Sequence, residues 1–249
     1  MEIKTLNESI YIAENEKNLC ELFNNIDSIF LEKGITIHSD RNTTKKVEFN
    51  DKYFAVKSFQ SSNVLQRLLY ANFRKSKAQR SFEHSEKIIE TGLHSPKPIG
   101  FIIKTRRKQV YQSYYISEFY NFEHDLIPVF NDFNNNSELI EQFIKTVARM
   151  HDHDIYHHDL TKRNVLVVPS SKHIFSFVDN NRMSFKSMSL KMRMESISKL
   201  TNNIAELHML AKTYSKYSKY EPERCIYFIK KGFYKSQRYK QAKKLFKRN

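Results

Sequence analysis

The chain has 249 residues, 40% hydrophobic and 28% charged, which gives enough apolar material for one two-lobed domain or two modest ones and too much for a disordered chain. Its 42 lysines and arginines against 27 aspartates and glutamates leave a net +15, which favours polyanions such as nucleic acid, a nucleotide, an acidic lipid surface or a phosphorylated glycan without choosing among them. The two cysteines, Cys20 and Cys225, lie far apart with no C-x-x-C, which excludes a disulfide framework and a zinc ribbon and points to a reducing, cytosolic compartment.

The N-terminal MEIKTLNESIYIAENEK carries acidic residues where a signal peptide needs basic ones, and no apolar run approaches about 18 residues, so neither export by that route nor a membrane span is expected. NLCELFNNIDSIFLEKG places Leu19, Leu22, Phe23, Ile26, Ile29 and Phe30 at helical spacing and stops at Gly34, which reads as a helical prefix over residues 1–34. ITIHSD, KKVEFN and KYFAVKSF read as short strands. Residues 63–91 have a helical pattern, basic at first, that ends at Thr91-Gly92; IGFIIK and VYQSYYISEFY are two further strands. Residues 35–120 are therefore expected to form an antiparallel sheet with one principal helix.

Residues 121–249 read as a second, mainly helical lobe, with the polar run NDFNNNSEL the best place for a connector. Ser137 is placed to cap a helix whose apolar stripe is Leu139, Ile140, Phe143, Ile144, Val147 and Met150. Residues 187–231 read as mostly helical, and the tail KSQRYKQAKKLFKRN as a basic helix or frayed end. The expected fold class is α+β in two lobes.

Between these helices lie IYHHDLTKRNVLVV and VDNNRMSF. Asp159, Asn164 and Asp179 are oxygen donors of the kind that hold hard divalent cations. VLVV and IFSFV bracket the turn-like PSSKH, so Asn164 and Asp179 are equidistant from a turn near Ser171 and should lie opposite each other, roughly 5 Å apart. Asp159 is close enough in sequence for one loop to present it to the same cavity. A proton-accepting carboxylate beside an amide oxygen and a second carboxylate is a layout for phosphoryl transfer, because Mg²⁺ takes few protein oxygens and fills the rest from water and phosphates. The segment HDHDIYHHD also offers four imidazoles, but no separated third ligand group stands at structural zinc spacing, and His157 reads as a loop brace.

HHDLTKRN has the spacing of the kinase catalytic loop, and VDNN stands where kinases have Asp-Phe-Gly. Together with AVK at 55–57, SKAQRSFEH and TGLHSPKPIGF, these motifs resemble the lipopolysaccharide kinase (Kdo/WaaP-like) family of the protein-kinase-like superfamily over about residues 35–185. The resemblance implies that Asp159 is the catalytic acid–base residue and that Asn164 and Asp179 hold Mg²⁺. It also implies that Lys57 grips the ATP phosphates while held by Glu83, with Glu86 as the competing partner. Glu118 and Tyr120, at the end of VYQSYYISEFY, complete the implied nucleotide-binding set. The implied acceptor is a Kdo or heptose hydroxyl of the lipopolysaccharide core, at the inner face of the inner membrane, where the basic surface would contact anionic lipid; no specific nucleic acid is implied.

This sequence departs from the kinase pattern in two places. Its four glycines cannot build a G-x-G-x-x-G loop, so HSDRNTTKKV would hold the phosphates, with Asn42, and likewise Asn181 in the DNN triplet, in the left-handed turn usually left to glycine. No Ala-Pro-Glu closes an activation segment, which argues against a protein substrate. Two other readings stay open: a kinase-like module that binds an anionic partner without turnover, and a small-molecule phosphotransferase of the choline or aminoglycoside type.

Overall fold

A computed structural model of the protein describes residues 1–60, 75–107, 109–169 and 173–246. The early part of the helical pattern read over 63–91, residues 63–74, and the turn read near Ser171 lie outside the described residues. Contacts divide the chain into two compact units, Met1–Asn121 with Asp179–Asn181, and Phe122–Val178 with Arg182–Asn249.

The first unit is a seven-stranded antiparallel sheet. In chain order its strands are β1 (Glu2–Lys4), β2 (Glu8–Ile12), β3 (Ile35–Ser39), β4 (Asn42–Phe49), β5 (Lys52–Gln60), β6 (Pro98–Arg106) and β7 (Gln109–Glu118), and they lie side by side as β1-β2-β6-β7-β5-β4-β3. Period-two alternation sends neighbouring side chains to opposite faces. Ile10, Ile12, Val56, Ile102 and Ile116 pack on one face against Leu22, Phe23 and Ile26 of the helical segment between β2 and β3. Tyr11, Phe59, Phe101 and Tyr115 turn to the other face, against Ala78 and Phe82 of helix α1 (Lys77–Glu90). Ser76 caps α1 by accepting the Gln79 N–H at 3.0 Å, and Gly92, at φ 71°, follows the helix in the left-handed conformation that glycine takes at low cost.

The prefix departs from one continuous helix. Glu14–Leu19 is a 3-10 helix, Cys20–Asn24 and Ile26–Ser28 are α-helical, and Ile29–Lys33 is a π-type turn. The break falls at Asn25, whose side-chain amide donates to the Glu21 carbonyl at 3.2 Å, the local competition with the backbone that asparagine favours. The β1–β2 hairpin ahead of it has no counterpart among the strands expected from sequence.

The second unit opens with β8 (His124–Asp125), α2 (Leu126–Asn131) and α3 (Ser137–Asp152). Residues 132–136 join α2 to α3, and Asn136 rather than Ser137 occupies the N-cap of α3. The expected α3 stripe is largely buried, with Phe143, Ile144, Val147 and Met150 fully enclosed. Then come β9 (Ile155–His157), β10 (Val165–Val168), β11 (Ile174–Phe177), β12 (Met183–Phe185) and the helices α4 (Leu190–Ile197), α5 (Ile204–Lys216) and α6 (Pro222–Phe246). Two small sheets, β11-β10-β8 and β12-β9, support the segment between β9 and β10.

The β10–β11 hairpin differs from the expected register by one residue. Val165 pairs with Phe177, and the Val178 N–H donates to the Asn164 carbonyl at 3.0 Å, so Val178 rather than Asp179 stands opposite Asn164. A one-residue slip would reverse the facing of every side chain, and the buried set Val165, Val167, Phe175 and Phe177 selects the observed pairing. Asp179 follows one residue beyond the pairing and belongs to the first unit.

Candidate active site

In the first unit, strand alternation turns Lys57 to the α1 face of β5. Its ammonium donates to Asp179 Oδ1, and both side chains are largely enclosed. The Phe59 ring lies 5.4 Å from the same ammonium. Asp179 has φ 60°, a left-handed conformation that aspartate tolerates better than most residues. Neither Asn42 nor Asn181, expected there from sequence, has positive φ; Asn42 begins β4 and Asn181 sits in the short 3-10 turn Asn180–Arg182. Asn181 Nδ2 donates to Asp179 Oδ1 at 2.7 Å, so a lysine and an amide share one carboxylate oxygen.

Asn180 occupies the position of the aromatic residue in the kinase motif, and it is buried. Its side-chain amide donates to Ser85 Oγ at 3.0 Å and Ser95 Oγ at 2.9 Å, and its carbonyl accepts from His84 Nδ1 at 2.7 Å. Burial lowers the His84 pKa, against the raising influence of the Asn180 carbonyl. Ser85 also accepts from the Tyr115 hydroxyl at 3.1 Å, and burial pushes that phenol up to about 12. The residues 179–181 are thereby tied to α1, to β7 and to the loop after α1. Sequence reasoning passed over His84, Ser85 and Ser95; the available signal was a pair of serines, Ser81 and Ser85, at i and i+4 on the buried face of α1.

The expected support of Lys57 by Glu83 is not what the structure shows. Glu83 accepts from Lys75 Nζ at 2.7 Å and from Gln79 Nε2 at 3.1 Å, because Lys75, just before the helix, lies within reach of that carboxylate. The Glu86 carboxyl is raised first by burial and then by Glu90 and Glu83. Glu118 lies 3.7 Å from Lys97, whose ammonium is nearer Glu16 at 2.5 Å, and the Tyr120 ring meets the His94 ring edge-on at 5.0 Å.

In the second unit, the β9–β12 pair sets up the loop that carries Asp159. Met183 pairs with His157, and the His158 N–H donates to the Arg182 carbonyl at 3.0 Å. His157 is buried; its Nδ1 accepts the Asp159 N–H at 3.1 Å and its Nε2 donates to the Val178 carbonyl at 3.2 Å, which fixes the tautomer. Asn164 Nδ2 donates to the Asp159 carbonyl at 2.8 Å, which leaves Oδ1 as the acceptor end of that amide. Arg182 Nη1 lies 3.2 Å from Asp159 Oδ2. Lys199 Nζ donates to the His158 carbonyl at 2.7 Å, and burial lowers its pKa.

The remaining imidazoles of HDHDIYHHD have separate surroundings. His151 is fully buried between the Tyr214 hydroxyl and Ser196 Oγ, both at 3.1 Å, and His158 Nε2 meets Ser184 Oγ at 3.1 Å. Among the described residues no group of three or more His, Cys, Asp or Glu side chains is placed to hold a metal ion. The first unit offers the Asp179 carboxylate and the second the Asn164 amide oxygen, each a donor type that suits Mg²⁺, which takes most of its ligands from phosphate and water.

A seven-stranded antiparallel sheet with one principal helix, followed by a mainly helical unit, is a protein-kinase-like fold. The chain belongs to the lipopolysaccharide kinase (Kdo/WaaP) family, whose model matches residues 37–220. Among solved structures, the chain is similar to "WaaP in complex with acyl carrier protein", with a TM-score of 0.62 at 14% identity, over 90% of this chain and 97% of that one. No curated protein matches the sequence.

Proposed function

We propose that the protein is an ATP- and Mg²⁺-dependent kinase that transfers the γ-phosphate to a Kdo or heptose hydroxyl of a lipopolysaccharide core, at the cytoplasmic face of the inner membrane. The observation that carries this reading is the pairing of Lys57 with Asp179, residues far apart in sequence that the resemblance assigns to phosphate and metal. A partly enclosed lysine held by a carboxylate is pre-positioned to receive phosphate oxygens, since the cation is already oriented before the anion arrives.

Each residue then has a distinct task. Lys57 orients the α- and β-phosphates. Asp159 accepts the proton of the attacking hydroxyl, held in place by its backbone bonds to His157 and Asn164 and by Arg182 at its side chain. Asn164 and Asp179 would hold Mg²⁺ through an amide oxygen and a carboxylate oxygen, and bound Mg²⁺ would neutralise charge on the phosphate oxygens. Glu118, at the end of β7, and Tyr120, two residues beyond it, remain assigned to the nucleotide. The similar WaaP structure is a complex with acyl carrier protein, and a protein partner of that kind is a further expectation here.

The test is direct. The purified protein, given ATP labelled at the γ-position, Mg²⁺ and core oligosaccharide, should label the sugar, and Asp159→Asn should lower the rate by 100-fold or more, the lower range for a removed acid–base group. Choline and an aminoglycoside serve as competing acceptors. Transfer to them in preference to the core sugar assigns the small-molecule reading, and nucleotide-independent binding without transfer assigns the binding-module reading.

A further inference from the structure

We infer that the solvent-facing side of α6 is an interfacial anchor that docks the protein on an anionic bilayer surface. The charge of this chain is concentrated at one end. Residues 224–249 contain ten lysines and arginines and no aspartate or glutamate, ten of the chain's net +15. Blocks of one charge sign are often interaction segments.

The fold decides which side of that segment is available. α6 buries Cys225 and Ile229, and Gly232 lies against Ser198 and Glu195, where an added Cβ would come within 2.9 Å of Ser198 Oγ. On the opposite side, at intervals of four, three and four residues, stand Tyr227, Lys231, Tyr234 and Arg238. The two tyrosines are both 53% exposed. Lys231 Nζ sits 4.5 Å above the Tyr227 ring, so the cation and the phenol already form one amphipathic unit. Tyr239, 71% exposed, extends the aromatic surface beyond this stripe. Lys235 is left out of the anchor because it pairs with Glu195 at 3.1 Å.

A stripe of phenols alternating with long cations fits a lipid headgroup layer. The rings enter the boundary with the acyl chains while the hydroxyls, ammonium and guanidinium groups stay among water and phosphates. No helix among the described residues is long and apolar enough to cross a membrane, and α6 would lie along the surface. Single-stranded nucleic acid is the weaker fit, because base-stacking proteins track the strand in a basic groove and the outer side of one helix is convex. This inference deepens the reading of the acceptor as a lipid-borne sugar, but its test does not depend on phosphoryl transfer.

The full chain is sedimented with sucrose-loaded vesicles of phosphatidylcholine alone and of phosphatidylcholine with about one third phosphatidylglycerol, at about 0.1 M salt. It should bind the anionic vesicles and leave the neutral ones. Lys231→Gln with Arg238→Gln should weaken binding about 30-fold, since each cation near an anionic surface contributes about fivefold. Tyr227→Ser with Tyr234→Ser should weaken it about tenfold while leaving the salt dependence of binding unchanged. Equal binding to both vesicle types, unaltered binding in both double variants, or tighter binding to a single-stranded oligonucleotide than to the anionic vesicles would overturn the inference. Transfer to a soluble core oligosaccharide should be unchanged in both variants. Absent transfer in a protein that still binds anionic vesicles through these residues would sink the functional reading and leave this one standing.

Discussion

Asn180 and Ser95 are joined by a buried hydrogen bond of 2.9 Å, and the same amide reaches Ser85 at 3.0 Å. Because Asp179 is the adjacent residue, two serines of the first unit anchor the backbone beside the candidate metal-binding carboxylate, which Lys57 and Asn181 then hold. Asn180→Leu would keep the branched shape of the side chain and leave both hydroxyls without this donor, at a cost of about 2–3 kcal/mol. We expect Asn180→Leu to lower the denaturation midpoint and to raise the half-saturating Mg²⁺ concentration for transfer severalfold. Ser95→Ala, which removes one of the two acceptors, should cost about 1 kcal/mol. An unchanged Mg²⁺ titration in Asn180→Leu would leave the amide with a packing role alone.

Lys57 and Glu83 separate under mutation in a way that the helix pattern alone does not foretell. Lys57→Met removes the cation from the Asp179 carboxylate and should reduce kcat/KM for ATP by 100-fold or more, in the range of a lost charge-assisted contact at a phosphate site. Glu83→Gln breaks a contact to Lys75, an exposed residue, and should change stability by less than about 1 kcal/mol and transfer by only a few-fold. Steady-state kinetics of the two variants, compared at saturating acceptor, measure the difference. A loss in Glu83→Gln equal to that in Lys57→Met would restore Glu83 as the lysine's partner during turnover.

Much of the fold is legible in sequence wherever a single period governs many residues. The alternation in KYFAVKSF and VYQSYYISEFY fixes both strands and puts Lys57 on the same face as Phe59, and the stripe from Ile140 to Met150 fixes α3. The β10–β11 register differs by one residue from the one its sequence suggests because turn length is not written in the flanking alternation, while burial of Val165 and Phe177 decides it. Motif spacing singles out Asp159, Asn164 and Asp179 as candidates. It cannot disclose that Asn180 is gripped by Ser85 and Ser95, because a buried asparagine's partners are set by tertiary contact across 95 and 85 residues of chain. Periodicity likewise marks the face on which Glu83 lies, but not that Lys75 reaches it first.

Gly100 offers a prediction that rests on space alone. It lies on β6 opposite Ile12 and Ile116, where a Cβ would fall on the Tyr11 carbonyl oxygen and within 2.6 Å of Phe23 Cζ. The Phe23 ring could shift, but a paired backbone carbonyl cannot without opening the β2–β6 ladder. Gly100→Ala should destabilise the protein by about 1–3 kcal/mol, seen as a lower midpoint in urea with little change in m-value. Gly34→Ala is the comparison, since its added Cβ mainly meets the flexible Lys45 side chain, and it should cost less.

The pH dependence of stability should carry the mark of His151. Burial, with a smaller contribution from Arg193, pushes this imidazole down to about 3, so the native state keeps it neutral while the unfolded chain protonates near the ordinary value of about 6.5. The folded-state pKa is the lower one. Stability from this group is therefore complete above about pH 6.5 and is lost as pH falls toward 3, at up to about 1.4 kcal/mol per pH unit. His84, His94 and His158 are also lowered by burial and add to the same slope. Urea denaturation at pH 7.5, 6.0 and 5.0 should show falling stability. His151→Gln cannot take up that proton in the unfolded state and should show a shallower decline, although it starts from a lower value at neutral pH because Tyr214 and Ser196 lose their present partner. Parallel slopes in the two proteins would mean that His151 takes up its proton equally in the folded and unfolded states.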